Sequence, residues 1–334
     1  NGIIENTVKK FNELNSNNCD LIAAVGPCIN KKNYEVRSDF FNQFISRNKK
    51  NKNFFEKIND EKFLFDLRAF INQKISSLGI KNIENIDMDT FFVSCERLLN
   101  SSLADKPVLV GGTSDRGVVA SCSYEARRFG VHAAMPMRLA KTLCPDAVVI
   151  RGDSSLYSQL SNMVTEIIKE KAPLYEKSSI DEFYIDLSGM DRFHGCYKWA
   201  VEIRQAIIRE TGLPISFGLS SNKTVAKVAT GEAKPNGKLR IQHGSEKVFL
   251  APLSVKKIPM VGPKNYETLR SLGAKYIGTV QQLPIEMMER VFGKHGIAIW
   301  KKAQGIDEAP VIPYRQKKSI SIERTFEQDT ANTI

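Results

Sequence analysis

Two short runs carry the residues best suited to chemistry. Ile86-Asp87-Met88-Asp89 and, far downstream, Ser179-Ile180-Asp181-Glu182-Phe183-Tyr184-Ile185-Asp186 each set carboxylates against a strand-competent apolar sequence. Side chains alternate along a strand, so Phe183, Ile185 and Leu187 point to a core while Glu182, Tyr184 and Asp186 face the other way. Asp181 stands at the strand entry, where the preceding turn can redirect it, and Asp87 comes from a neighbouring strand with the Met88 carbonyl beside it. Oxygen donors of this kind suit Mg²⁺, which takes one or two carboxylates together with substrate phosphates. Paired ions about 3.5–4 Å apart would activate an attacking oxygen and stabilise a leaving one. Taken alone, Asp-x-Asp and Asp-Glu pairs are more often solvated strand-end residues, so neighbouring segments have to decide.

Those segments supply cations and hydroxyls. Tyr124-Glu125-Ala126-Arg127 spaces a hydroxyl and a guanidinium one helical turn apart, a grip for a triphosphate tail. Ala233-Lys234-Pro235-Asn236-Gly237 puts a lysine directly before a rigid turn, where its ammonium is a point charge for a phosphate. Ser220-Ser221-Asn222-Lys223-Thr224-Val225-Ala226-Lys227 reads as a capped helix start whose Lys223 and Lys227 suit backbone phosphates.

The elements that must position these groups come from a chain of 334 residues, long enough for two or three folding units. An apolar content of 42% and a charged content of 25% describe an ordinary globular protein. No apolar run approaches the roughly 20 residues of a membrane span, and Asn1-Gly2-Ile3-Ile4-Glu5-Asn6 has neither a basic start nor an apolar signal core, so a cytoplasmic protein without a membrane partner is expected. The net charge of +11 favours a polyanionic partner. Cys19, Cys28, Cys95, Cys122, Cys144 and Cys196 form no Cys-x-x-Cys pair, which argues against a disulfide framework or a zinc knuckle.

Texture changes near residue 86: the preceding part is rich in Asn and Lys, the remainder in Ala, Gly and Val. In the first part Leu21-Ile22-Ala23-Ala24-Val25 reads as a buried strand, and Phe63-Phe65-Leu67 alternates ahead of a helix over 69–75. Ile83 to Phe91 is strand-competent and can carry Asp87 in from an edge. Lys106 to Gly112 is a strand closed by glycines. The stretch from Ser155 sets Leu156, Leu160, Met163, Val164, Ile167 and Ile168 on one helical face. Mixed strands and helices continue to about residue 245, an α+β layer; after Pro252 come short helices punctuated by glycines.

With its motifs in order, the chain from 87 to about 325 resembles the Y-family DNA polymerases of the DinB type. The matching stretches are Asp87-Met88-Asp89-Thr90-Phe91-Phe92, Lys106 to Gly112, Ser123-Tyr124-Glu125-Ala126-Arg127, Met135-Pro136, Ser179 to Tyr184, Gly218 to Lys223 and Ala233 to Gly237. The resemblance implies a palm at 87–91 and 152–242, small α/β fingers at 92–151, a helical thumb with a helix-hairpin-helix at 243–309, and a linker at 310–334 leading to a little finger beyond this chain. It implies that Asp87, Asp181 and Glu182, helped by the Met88 carbonyl, bind two Mg²⁺ ions. Tyr124, Arg127 and Lys234 would hold a deoxynucleoside triphosphate, and Phe92 would be the steric gate against a ribose 2′-hydroxyl. Lys223, Lys227, Gly262 and Lys264 would meet primer-template DNA. A sliding clamp is a further implied partner, although its usual contact region falls outside these residues. The expected activity is error-prone, translesion DNA synthesis; the alternative is a DNA-binding fragment that synthesises nothing.

One departure concerns the thumb hairpin, where the family's Pro-Gly-x-Gly reads Pro259-Met260-Val261-Gly262, with methionine in place of the first glycine. Another is the start: residues 1–86 resemble instead the C-terminal half of the YfiH-type, laccase-like polyphenol oxidases, an incomplete α/β half-domain. No histidine precedes His132, so this segment lacks the ligands for copper or zinc chemistry, and Cys28 alone reads as a packing residue. The two resemblances meet around Ile86 to Phe91, as a gene fusion or a joining of two genes at a shared stretch would produce.

Overall fold

The computed structural model describes residues 3–14, 29–77, 82–172, 174–188, 190, 195–313 and 321. The expected strand at Leu21–Val25, Cys28 and most of the 310–334 linker lie outside the described residues.

The N-terminal part comprises helix α1 (Ile3–Leu14), strand β1 (Glu35–Arg37), α2 (Ser38–Arg47), β2 (Phe55–Lys57), β3 (Lys62–Phe65) and α3 (Leu67–Ser77). Its three strands pair antiparallel in the order β1-β3-β2. Phenylalanines fill the space beneath: Phe65, 1% exposed, meets the rings of Tyr34, Phe40, Phe44, Phe55 and Phe70, while Phe41 stacks on Phe63 at 4.2 Å. Charged partners stay outside, as in Lys62–Glu35 and Lys31–Glu56.

The second part opens with β4 (Ile83–Met88) and α4 (Phe91–Leu99), followed by β5 (Val108–Gly111), β6 (Val119–Cys122), α5 (Tyr124–Arg127), α6 (Met137–Leu143) and β7 (Val148–Ile150). Strands β6-β5-β7 form a small sheet of their own. The chain then returns through α7 (Ser154–Lys171), β8 (Tyr175–Lys177), β9 (Glu182–Asp186), α8 (Cys196–Thr211), β10 (Ile215–Ser220), α9 (Lys223–Ala233) and β11 (Lys238–Arg240). Asp153 caps α7 by accepting from the Ser155 and Leu156 amides, and Asn222 caps α9 by accepting from the Val225 amide. Strand β4 pairs from Ile83, four residues ahead of the position 87 at which the palm was expected to begin.

The larger sheet is mixed, in the order β11-β10-β4-β9-β8, and its central strand is β4. Cross-strand pairing sorts the β4 side chains. Ile86 lies between Phe183 and Phe217 and joins the main core with Met88, Ile203 and Ile207; Asp87, one residue on, lies between Glu182 and Ser216 on the opposite face. Along α7 the core takes Val164, Ile167 and Ile168 as expected, but Met163 is 47% exposed and Tyr157 and Ser161 are buried instead. The six-residue apolar stripe read from the sequence is therefore rotated slightly from the face that packs.

The last part is helical: α10 (Glu246–Leu250), α11 (Pro263–Ser271), α12 (Ile277–Gln282), α13 (Ile285–Phe292) and α14 (Lys294–Ala303). Its core of Leu250, Leu269, Ile277, Val280, Met288 and Ile299 is continuous with Val225, Val228 and Ala229 of α9. After α14 the chain runs back to the large sheet. Asn222 donates to the Gly305 carbonyl at 2.9 Å, Thr224 to Asp307 at 2.6 Å, and the Ile312 amide to Glu176 at 2.8 Å, while Val311 is buried against Ile83 and Tyr184. Among the described residues no helix is long and apolar enough to cross a membrane.

Candidate active site

Asp87 of β4 stands directly opposite Glu182 of β9, and the Met88 amide donates to the Asp181 carbonyl at 3.0 Å. Acids from two distant segments thus share one end of the large sheet. Ser179, in the turn before β9, donates its hydroxyl to Asp181 Oδ1 at 2.5 Å and so orients the residue that strand period alone leaves free. Asn85, two positions before Asp87 and on its face, donates to Glu182 Oε1 at 2.9 Å. Helix α9 lies over this face and supplies cations: Lys227 pairs with Glu182, and Lys234, just past the helix end, pairs with Asp87.

Burial pushes the Asp87 carboxyl up to about 6; the Lys234 ammonium opposes the rise, and the charges of Asp181 and Glu182 add to it. Three carboxylates and a backbone carbonyl form an all-oxygen set whose chemistry fits a hard divalent ion. Among the described residues no three acidic, histidine or cysteine side chains close on a single ion position; Lys227 and Lys234 hold Glu182 and Asp87 instead.

The other expected residues fall on either side. Helix α5 is capped by Ser123, and the Arg127 guanidinium sits 5.0 Å over the Tyr124 ring. The Tyr124 hydroxyl reaches towards Asp89 Oδ1 at 3.5 Å, and burial with the nearby Asp89 charge raises its pKa, so it remains a donor. Phe92, in the first turn of α4, stacks on Tyr157 at 4.4 Å, and the Tyr157 hydroxyl donates to Glu96 at 2.5 Å. The aromatic wall is therefore held from behind.

Two lysines expected to meet DNA phosphates bond carboxylates in this fold. Lys223 donates to both Glu176 oxygens at 2.8 and 2.7 Å and lies 4.7 Å over the Tyr184 ring, tying α9 to β8. Lys227 turns inwards to Glu182. Gly262, by contrast, caps α11 with open space where a side chain would stand, and Lys264 is exposed in the first turn of that helix. Met260 keeps the backbone shape of the glycine it replaces, with φ of 84°, a conformation costly for any residue with a Cβ. Asp89, which accepts from Ser216 at 2.8 Å and from the Asn236 amide at 2.5 Å, was not among the expected site residues.

Residues 86–231 match the impB/mucB/samB family, and residues 1–98 match the multi-copper polyphenol oxidoreductase laccase family. A DNA polymerase IV of Dehalococcoides mccartyi strain CBDB1 is 40% identical over 257 residues, covering 76% of this chain and 66% of the relative. The chain thus spans just under two thirds of that protein's length. A DNA polymerase IV of Shewanella amazonensis is 38% identical over 252 residues, covering 75% of this chain and 71% of the relative. The crystal structure of DinB from Sulfolobus solfataricus superposes with a TM-score of 0.65 at 29% identity, covering 69% of each chain. An insertion ternary complex of the Dbh DNA polymerase gives 0.62 at 30%, again covering 69% of each chain. With these matches on the face that gathers Asp87, Asp181 and Glu182, the chain belongs to the Y-family of DNA polymerases, in its DNA polymerase IV branch.

Proposed function

We propose that this chain is a template-directed DNA polymerase of the translesion type, adding deoxynucleotides to a primer 3′-hydroxyl by phosphoryl transfer. The observation that carries this reading is the register of β4 and β9, which sets Asp87 against Glu182 with Asp181 bonded alongside, facing Tyr124 and Lys234. Asp87, Asp181, Glu182 and the Met88 carbonyl would hold two Mg²⁺ ions, whose chemistry when bound is to activate the attacking oxygen and stabilise the leaving one.

Everything else in the reaction falls to the chain itself. Lys234 exchanges its bond to Asp87 for the triphosphate, while Arg127 and Tyr124 grip the same tail from α5. Because Lys234 is already paired with Asp87 and Arg127 already lies over the Tyr124 ring, nucleotide binding exchanges partners instead of burying bare charge. Phe92, braced by Tyr157, closes against the sugar and leaves no room for a 2′-hydroxyl. Lys264 and the open backbone at Gly262 meet the DNA phosphates, so binding weakens steeply with salt.

Primer extension with Mg²⁺ tests the reading. Asp181→Asn and Glu182→Gln should each lower incorporation by about a thousandfold or more while leaving the melting temperature within a few degrees. Full activity in either variant removes the assignment. A wild-type chain that retains primer-template DNA but adds no nucleotide establishes the alternative, a DNA-binding fragment without synthesis.

A further inference from the structure

Asp89 stands one residue past the end of β4, and Ser216, which pairs opposite Asp87 across the sheet, donates to its carboxylate, so the two acids share one side. Its backbone is pinned from both directions: the Asp89 amide donates to the Pro214 carbonyl at 2.9 Å, and its carbonyl accepts from the Ser94 hydroxyl at 2.7 Å. Next to it Thr90 takes φ of 41°, which a β-branched residue holds only when its surroundings demand it. The residue is 1% exposed. A buried carboxylate is costly unless its oxygens are satisfied, and those of Asp89 are satisfied by a particular set of groups.

Oδ2 accepts from the Ser216 hydroxyl of β10 at 2.8 Å and from the Asn236 amide at 2.5 Å. Oδ1 faces the Tyr124 hydroxyl at 3.5 Å and the Lys234 ammonium at 3.9 Å. Asn236 itself has φ of 51° and is gripped from outside by Arg204, which donates to its side-chain oxygen at 2.6 Å and to its carbonyl at 2.9 Å. One carboxylate therefore reaches α5, β10 and the turn that presents Lys234. These are the two flanks from which the triphosphate would be held.

We propose that Asp89 is a positioning residue that sets the spacing between the Lys234 ammonium and the Tyr124 hydroxyl, and thereby the affinity for the nucleotide's triphosphate. The inference rests on the reading that Tyr124, Arg127 and Lys234 hold that triphosphate. Asp89 touches no reacting atom. It orders two groups that would otherwise settle independently, on α5 and on the turn after α9, and misplacement of such groups by a single ångström is enough to cost orders of magnitude.

The test uses the full chain with a dideoxy-terminated primer-template. Equilibrium binding of a deoxynucleoside triphosphate is measured for wild type, Asp89→Asn and Asp89→Ala, beside steady-state extension on an unblocked primer and DNA binding without nucleotide. Asp89→Asn keeps an acceptor for the Asn236 amide, so nucleotide affinity should fall about tenfold, with a larger loss for Asp89→Ala. KM should rise more than kcat falls, and DNA affinity should stay level. A double-mutant cycle of Asp89→Asn with Tyr124→Phe should be non-additive, because the second change removes a group through which the first acts.

Unchanged nucleotide affinity in Asp89→Asn and Asp89→Ala overturns the proposal while leaving the polymerase reading intact. So does a loss spread equally over DNA affinity, kcat and melting temperature, which marks a purely structural residue. A wild-type chain that binds triphosphate without extending a primer removes the polymerase reading alone, and the variant affinities still decide the role of Asp89. A wild-type chain that binds no triphosphate overturns both.

Discussion

The phenylalanine-filled N-terminal part and the large sheet solve the same problem, burying one face of a short-stranded sheet, in opposite ways. The first keeps charge outside: its core is Val36, Phe54, Phe63 and Phe65, and its ion pairs lie on exposed surface. The second buries the carboxyl groups of Glu84, Asp89 and Glu182 in or beside its strands. Buried carboxylates are costly, and apart from Glu84 these charges cluster at the end of the sheet where the proposed chemistry occurs. The contrast separates residues kept for packing from residues kept for reaction. It also isolates Glu84, which lies between Ile185 and Leu219 on the core face with both oxygens unpartnered.

The contrast breaks most sharply if the two parts fail together. Phe65→Ala should cost the N-terminal part about 3–5 kcal/mol, seen as loss of its transition in thermal unfolding, while primer extension stays unchanged, since the rings Phe65 meets all belong to residues 34–70. A parallel loss of extension would join the parts into one unit.

Glu84→Leu should act oppositely on the large sheet. Burial pushes the Glu84 carboxyl up to about 8, far above its ordinary range near 4.5. Between those values the folded chain holds a proton that the unfolded chain releases, so stability is full below about pH 4.5 and is lost as pH rises towards 8. The leucine variant should gain about 1–3 kcal/mol already at pH 4.5, where the unpartnered carboxyl is neutral, and more at pH 8, as read from denaturant midpoints at both values. Equal gains at both would show that Glu84 is not buried as a neutral acid.

Smaller effects sharpen the contrast within the catalytic half. Phe92→Ala should narrow the discrimination between deoxy- and ribonucleotides about 10- to 100-fold, measured as a ratio of incorporation efficiencies; unchanged selectivity would remove the gate. Met260→Gly should raise stability by about 1 kcal/mol by relieving the positive φ, with a higher melting temperature as the readout.

Much of this was legible in the sequence because period two and the Asp-Glu step leave little freedom. Phe183 and Ile185 reach the core and Asp87 stands opposite Glu182, as alternation requires, whereas Asp181 is oriented by Ser179 in the turn before β9. The partner of Lys223 was not legible, because a lysine in a helix's first turn looks the same whether it faces a phosphate or, as here, bonds Glu176 on β8. Asp89 went unread since its partners, Ser216 and Asn236, come together only when β10 and the turn after α9 pack around it. Met163 shows the limit of a helical stripe: a wide apolar arc does not reveal which of its edges meets solvent.

The segment from Gly305 to Ile312 gives the helical lobe a second attachment. The lobe leaves the large sheet through β11 and returns to it along β8, fastened by Asn222, Thr224 and Glu176 and by Val311. A lobe clamped at both ends can rock about an axis through its two anchors but cannot swing away on one strand. Movement of the helical lobe relative to the sheet should therefore be smaller than a single strand connection would allow.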